Sequence, residues 1–159
     1  MGRSFYSPEK TGVYFSILQT VTKPLQSAVS LTGAAAVAVM RAIRAQTGRQ
    51  CQIKWVNDLY LDGKKVCGIL AEALSGLEEG TQQVILGIGV NLCTEEFPEE
   101  LIDKAGSLHG RETTRVDLIA SIWRELSPFL QNFEDRSWLP DYRAYSMVIG
   151  KEITWLRGG

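Results

Sequence analysis

The stretch KWVNDLYLDGKKVCGILAE, Lys54 to Glu72, sets lysines 54 and 65, an asparagine and an aspartate around one tight turn. Lys54 lies between Ile53 and Trp55, so strand alternation turns it to the face opposite its apolar neighbours. Lys65 follows the dipeptide Asp62-Gly63. Two ammonium groups on one hairpin can converge on an anion such as a phosphate or a carboxylate. Asn57 and Asp58 end the first arm, where side chains can meet a ligand edge or a metal ion. Gly68, Gly87 and Gly89 fall inside β-prone runs. Glycine weakens a strand, so it marks a bulge or a close approach by a ligand or another backbone. Lysines and glycines together describe a slot for a flat anionic ligand. Singly they read more plainly: a lysine past a turn is ordinarily solvated, Asn-Asp is ordinarily a turn, and a strand glycine is ordinarily a bulge. Taken alone, these residues lead to an α+β domain with an anion slot and no further.

The elements that must position them can be read from period and punctuation. Val13 to Val21 is β-branched and aromatic, hence a strand ended by Lys23-Pro24. A helix capped by Ser27 or Ser30 runs to a stop at Gly48, and its small residues fit close packing on a sheet. CQIKWVN, Cys51 to Asn57, reads as a strand. Asp62-Gly63 is the type I′ hairpin dipeptide, because both central residues need positive φ. CGILAEAL continues the second arm, and Thr81 to Leu92 is another long strand. Cys93 to Arg111 is a loop that carries the one histidine, His109, to which no chemistry is assigned. Thr113 or Thr114 caps a helix in which Val116, Ile119, Ile122, Trp123, Leu126, Phe129 and Phe133 recur at helical spacing. Pro128 is expected to kink it, and Trp123, Phe129 and Phe133 to lie in the core. Trp55 is read as core as well. LPDYRAYS adds a helical turn, and VIGKEITWL reads as a last short strand.

The bulk properties exclude several classes. A length of 159 residues suits one ordinary domain with a small appendage. A formal net charge of −1 gives no electrostatic case for nucleic-acid binding. The three cysteines, Cys51, Cys67 and Cys93, have no C-x-x-C spacing, so neither a disulfide framework nor a structural zinc site is expected. Reduced thiols and a cytoplasmic setting follow. No run is long and apolar enough to span a bilayer, and the start has no signal-peptide pattern.

Several motifs then resemble one family. Lys54 to Glu72 resembles the biotin protein ligase signature K-W-P-N-D-[ILV] followed by K-[ILV]-x-G-[ILV]-L-x-E. ILGIGVN is similar to the family's G-x-G-[IV]-N strand. GRSFYSPEKTGVYFSIL resembles the end of its biotin loop, G-R-G-R-x-G-R, with the strand that follows. GKEITW resembles the entry to its C-terminal SH3-like domain. Val56 stands where the family has proline. The resemblance implies an α+β fold with a mixed, largely antiparallel sheet packed with helices, of the class II aminoacyl-tRNA synthetase-like, biotin–lipoate ligase type. It implies a catalytic domain over residues 1–146 lacking its N-terminal part, and the start of a cut SH3-like domain over 147–159. Such a fragment is expected to be an impaired ligase that self-associates, as a homodimer or larger.

The reaction implied is ATP-dependent attachment of biotin to a lysine of a carboxylase's biotin carrier domain, through biotinyl-5′-AMP, with Mg²⁺. By the resemblance, Lys65, Asp58, Lys54 and Arg3 are the catalytic set. Gly2, Arg3, Lys65, Gly68, Ile69, Leu70 and Gly87 contact biotin, with Gly89 beside them. Arg3, Phe5, Asn57, Lys65 and Asn91 contact the nucleotide, and Asn57 and Asp58 hold Mg²⁺. Phe5 falls where the family has an aromatic that closes over the intermediate. The alternatives are a related lipoate ligase or octanoyl transferase, and a non-catalytic ligand-binding remnant. Neither a nucleic-acid nor a membrane partner is expected.

Overall fold

The computed structural model describes residues 5–21, 28–75, 82–110 and 112–154. Five strands, β1 (Val13–Val21), β2 (Gln52–Lys54), β3 (Asp58–Leu61), β4 (Lys64–Ser75) and β5 (Gln82–Val90), form one sheet in the order β1-β5-β4-β3-β2. Every ladder between them is antiparallel. Three helices follow the expected segments: α1 (Ala28–Thr47), α2 (Arg115–Gln131) and α3 (Leu139–Ala144). Among the described residues no helix is long and apolar enough to cross a membrane.

Alternation sorts the sheet into two faces. Ile69, Leu86, Ile88, Val84 and Val90 are buried on one face, with the fully buried run Ala35 to Val39 of α1 in the same core. The other face presents Leu18 at 62% exposure, Leu70 at 57% and Leu74 at 47%. The helix start falls at Ala28, so Ser30 lies inside α1 and Ser27 outside the described residues. Gly48 stops the helix with φ of 69°, the left-handed conformation of a C′ residue, its N–H donating to the Arg44 carbonyl at 2.9 Å. Thr114, not Thr113, caps α2, its side chain accepting from the Asp117 N–H at 3.1 Å.

Five expectations need correction. The strand at Cys51 stops at Lys54, because Trp55 to Asn57 reverse the chain into β3. Trp55 is consequently 61% exposed, its ring edge-on to Tyr142 at 6.3 Å, and is no core residue. Trp123 is 51% exposed alongside Val116 and Ile119; the buried face of α2 is instead Leu118, Ile122, Leu126, Phe129 and Leu130. The apolar residues of α2 cover two faces, and only one of them meets the body of the protein. Phe133 lies beyond the helix, partly buried against the core, and α2 itself continues through Pro128 to Gln131. No strand forms over residues 147–154, where Gly150 takes φ of 72° and Lys151 N–H closes a turn on the Val148 carbonyl at 3.2 Å. The preceding Tyr145 to Met147 instead runs along the outer edge of β2, accepting from the Ile53 N–H and donating to the Ile53 carbonyl, both at 2.8 Å. Residues 155–159 of that segment lie outside the described residues.

Candidate functional site

Directly opposed residues of an antiparallel pair share a face. The register therefore carries one row of residues across the open face: Lys54 opposite Asp58, Asp58 opposite Gly68, Gly68 opposite Gly89, and Gly89 opposite Tyr14. The next row is Leu70, Gly87 and Ser16. Two adjoining rows thus contain three glycines and form a shallow floor. The hairpin that ends this floor has the expected turn, with φ of 51° at Asp62 and 77° at Gly63.

Lys65 would face away from Gly68 in a regular strand, being an odd number of residues from it. A bulge changes this. Leu59 pairs with Cys67 while Tyr60 pairs with Lys65, which leaves Val66 as the extra residue. Lys65 is thereby re-aimed onto the glycine face. A Cβ placed on Gly68 would lie 3.1 Å from Lys65 Cε and 3.2 Å from its Nζ. The ammonium is held by Asp58, with Nζ 2.6 Å from Oδ1, and stands 5.8 Å from the centre of the Phe5 ring. Lys54 shares the face, but its ammonium sits over Tyr60, 5.1 Å from the ring centre.

Asn57 and Asn91 frame the floor. The Asn57 side-chain amide donates to the Ile69 carbonyl, while its own backbone carbonyl accepts from the Ile69 N–H at 3.1 Å. This pins the turn to β4 beside Gly68. Asn91 continues the alternation of Gly87 and Gly89 beyond β5 and is 2% exposed. Its amide donates to the Gly106 carbonyl at 3.0 Å, and its side-chain oxygen is buried without a hydrogen-bond partner. Such an oxygen is costly unless something donates to it. A cavity of about 510 Å³ adjoins this corner, lined among others by Lys64, Thr94, Ser107 and His109.

Of the site residues expected from sequence, the structure therefore gathers Lys65, Asp58, Lys54, Gly68, Gly87, Gly89, Leu70 and Phe5 on one face, with Asn57 and Asn91 at its borders. Ile69 departs from the set: alternation buries its side chain at 2% exposure in the core, so only its backbone borders the slot. Gly2 and Arg3 lie outside the described residues. Tyr14 was missed, although its place between Val13 and Phe15 in a strand was enough to put it on the same face as Ser16. Its hydroxyl lies beside those of Thr11 and Thr94, which are 3.2 Å apart, and burial pushes the phenol above its usual range. Neither buried thiol belongs to the face. Burial pushes Cys51 up to about 12 and Cys67 well above the usual thiol range, so both stay protonated near neutrality. Among the described residues no cluster of three acidic, histidine or cysteine side chains could hold a metal ion alone.

Residues 1–91 match the profile of the biotin/lipoate A/B protein ligase family. The bifunctional ligase/repressor BirA of Bacillus spizizenii is 38% identical over 137 residues, covering 85% of this chain and 42% of that protein. The biotin–[acetyl-CoA-carboxylase] ligase of Mycobacterium tuberculosis is 30% identical over 173 residues, covering 96% of this chain and 58% of that one. The solved biotin protein ligase of Aquifex aeolicus in complex with biotin and ATP superposes with a TM-score of 0.71 at 28% identity, over 86% of this chain and 59% of that structure. The chain thus spans about half the length of these relatives.

Proposed function

Because the chain belongs to the biotin/lipoate A/B protein ligase family, we propose that its glycine floor and Lys65 activate biotin with ATP for transfer to a protein lysine. The observation that carries this reading is Lys65, turned by the Val66 bulge onto Gly68 and held there by Asp58 at 2.6 Å.

In the first step an oxygen of the biotin carboxylate attacks the α-phosphorus of ATP, and the bond to the bridging oxygen of pyrophosphate breaks. Two anions approach each other, so a fixed cation must stand where their charge concentrates. The Lys65 ammonium supplies it. Asp58 keeps that ammonium balanced and aimed while no substrate anion is present, which lowers the reorganisation needed when one arrives. In the second step a carrier lysine nitrogen attacks the anhydride carbonyl and AMP leaves. The flat ring of biotin is assigned to the rows of Gly87 and Leu70, where the backbone can be approached closely. Asn91 offers its buried oxygen to a donor on the nucleotide.

Mg²⁺ fits this donor set. It accepts one or two carboxylates together with phosphate oxygens and water, and Asp58 is the carboxylate beside Lys65 on the face. The ion would neutralise charge on the phosphates. Arg3, Gly2 and Lys54 are assigned to the biotin loop and phosphate side by their motif positions. A biotin carrier domain of the acetyl-CoA carboxylase type is the proposed acceptor. Residues 147–159 are assigned to the start of a C-terminal SH3-like domain. Self-association is supported by the outer edge of β1, which no described strand pairs, and by the exposed Leu18, Leu70 and Leu74.

Thermal unfolding separates biotin from its nearest rival. A ligand at a hundred times its Kd stabilises the folded state by about 2.7 kcal/mol. Biotin should raise the Tm of the protein and lipoate should leave it unchanged. The reverse order would assign the site to lipoate.

A further inference from the structure

The turn that carries Asn57 and Asp58 to the site is held by an element far along the chain. β2 ends at Lys54 and β3 begins at Asp58, so the reversal Trp55 to Asn57 lies between the two strands. The Tyr142 hydroxyl donates to the Val56 carbonyl at 3.1 Å, in the middle of that reversal and 86 residues away in sequence. Tyr142 is 4% exposed on α3, its ring edge-on to Trp138 at 5.6 Å and to Trp55 at 6.3 Å. α1 comes close to the same rings: a Cβ on Gly33 would lie 2.8 Å from Trp138 Cη2 and 3.6 Å from Tyr142 Cε2. The neighbouring Asp141 ties α3 to α1 through Arg41, Nε to Oδ2 at 2.8 Å, and Arg41 also reaches Glu125 of α2 at 3.7 Å. The donor is therefore mounted on the helical layer, while the acceptor lies in the turn that must be aimed. Burial pushes the Tyr142 phenol above its usual range, so the hydroxyl keeps its proton near neutrality.

We infer that Tyr142 is a positioning residue for the reacting centre: its hydroxyl bond to Val56 fixes the Trp55–Asn57 reversal and thereby sets where Asp58 holds the Lys65 ammonium. The inference rests on the function proposed above, because only that reading makes the place of the ammonium matter to a rate. A buried hydroxyl needs some partner whatever its role. Here the partner is a carbonyl of the reversal, one residue before Asn57 and two before the carboxylate that pairs with Lys65 at 2.6 Å. On the far side of the reversal the Asn57 carbonyl accepts from the Ile69 N–H at 3.1 Å. The turn is thus pinned to α3 on one side and to β4 on the other. Packing in the core needs only the ring of Tyr142, and the hydroxyl serves the turn. Aim matters at such a centre, where a misplacement of about 1 Å can cost about a hundredfold in rate.

The test is Tyr142→Phe, which keeps the ring and its packing and removes only the hydroxyl. Amide hydrogen exchange at Ile69 reports the turn without any substrate. It should quicken about two- to tenfold, the usual worth of one hydrogen bond, with the amides of the β1–β5 ladder unchanged. Biotin-dependent exchange of pyrophosphate into ATP reports the chemistry. Its kcat should fall by a similar factor while the KM for biotin and for ATP stays the same, since the fault lies in the transition state. In a Lys65→Ala background Tyr142→Phe should have no further effect on kcat, because no ammonium is left to aim. An Ile69 amide as protected as in the parent overturns the hold of Tyr142 on the turn. A quicker Ile69 amide with kcat unchanged overturns its bearing on the reaction. An equal fall in kcat with and without Lys65 overturns the route through Lys65. A quicker Ile69 amide in a protein whose parent shows no biotin-dependent reaction overturns the proposed function, and with it any effect of Tyr142 on a rate.

Discussion

Lys65→Ala is expected to lower the rate of biotinyl-adenylate formation by about 10²–10³, the usual effect of deleting one donor aimed at developing charge. The fold should survive, because Lys65 is only partly buried and its side chain lies on the open face, outside the core. Removing the ammonium also leaves Asp58 without its ion-pair partner. Because Asp58 is also the proposed Mg²⁺ ligand, removing it as well should lower the rate further and not restore it. Pyrophosphate release at the parent rate by a folded Lys65→Ala protein would remove Lys65 from its assigned role.

Gly68→Val should be nearly as damaging, by a different route. The added Cβ would lie 3.0 Å from Phe5 and 3.1 Å from Lys65 Cε. Both neighbours are side chains that can swing aside, and valine suits a strand, so the protein should fold. The floor would be raised and the Lys65 head displaced. Forcing extra methyl groups into a fitted space costs about 1–3 kcal/mol, about five- to a hundred-and-fifty-fold in affinity. Gly87→Ala gives the internal comparison. Among the described residues the nearest atoms to that Cβ are the Leu70 carbonyl oxygen and Ser16 Oγ, both at 3.9 Å, so weaker biotin binding there reports contact with ligand and not a disturbed fold. Equal binding by Gly68→Val and the parent, measured by calorimetry, would reduce Gly68 to a bulge residue.

The sequence made much of this site legible because the motif is local. Lys54, Asp58, Lys65 and Gly68 all fall within one β2–β3–β4 meander, and Asp62-Gly63 announces its turn. The open and closed faces followed from alternation for Lys54 against Ile53. What could not be read were the features that depend on pairing register. The Val66 bulge has no residue signature, being neither glycine nor proline, yet it decides which way Lys65 points. Ile69 was placed with its neighbours of the motif, though alternation alone argues for the core. Tyr14 joins the row only through β1 pairing with β5, across sixty and more residues of chain. Trp55 and Trp123 were misjudged for a related reason. A large aromatic is usually buried, but burial is set by what covers the residue: Trp55 tops a reversal and Trp123 sits on the uncovered side of α2. Residues 148–154 pair with no described strand, and a turn closed by the Lys151 N–H on the Val148 carbonyl opens that segment.

Biotin-dependent exchange of labelled pyrophosphate into ATP, in the longest form of the protein that its gene encodes, decides whether Lys65 and the glycine floor activate biotin. It reads formation and reversal of the adenylate with no carrier protein present, so it isolates the chemistry assigned to Lys65 and the glycine floor. Exchange should require biotin and Mg²⁺, should not be supported by lipoate, and should fall about 10²–10³ in Lys65→Ala. Exchange that proceeds without biotin, or that is undiminished when Lys65 is alanine, would contradict this assignment.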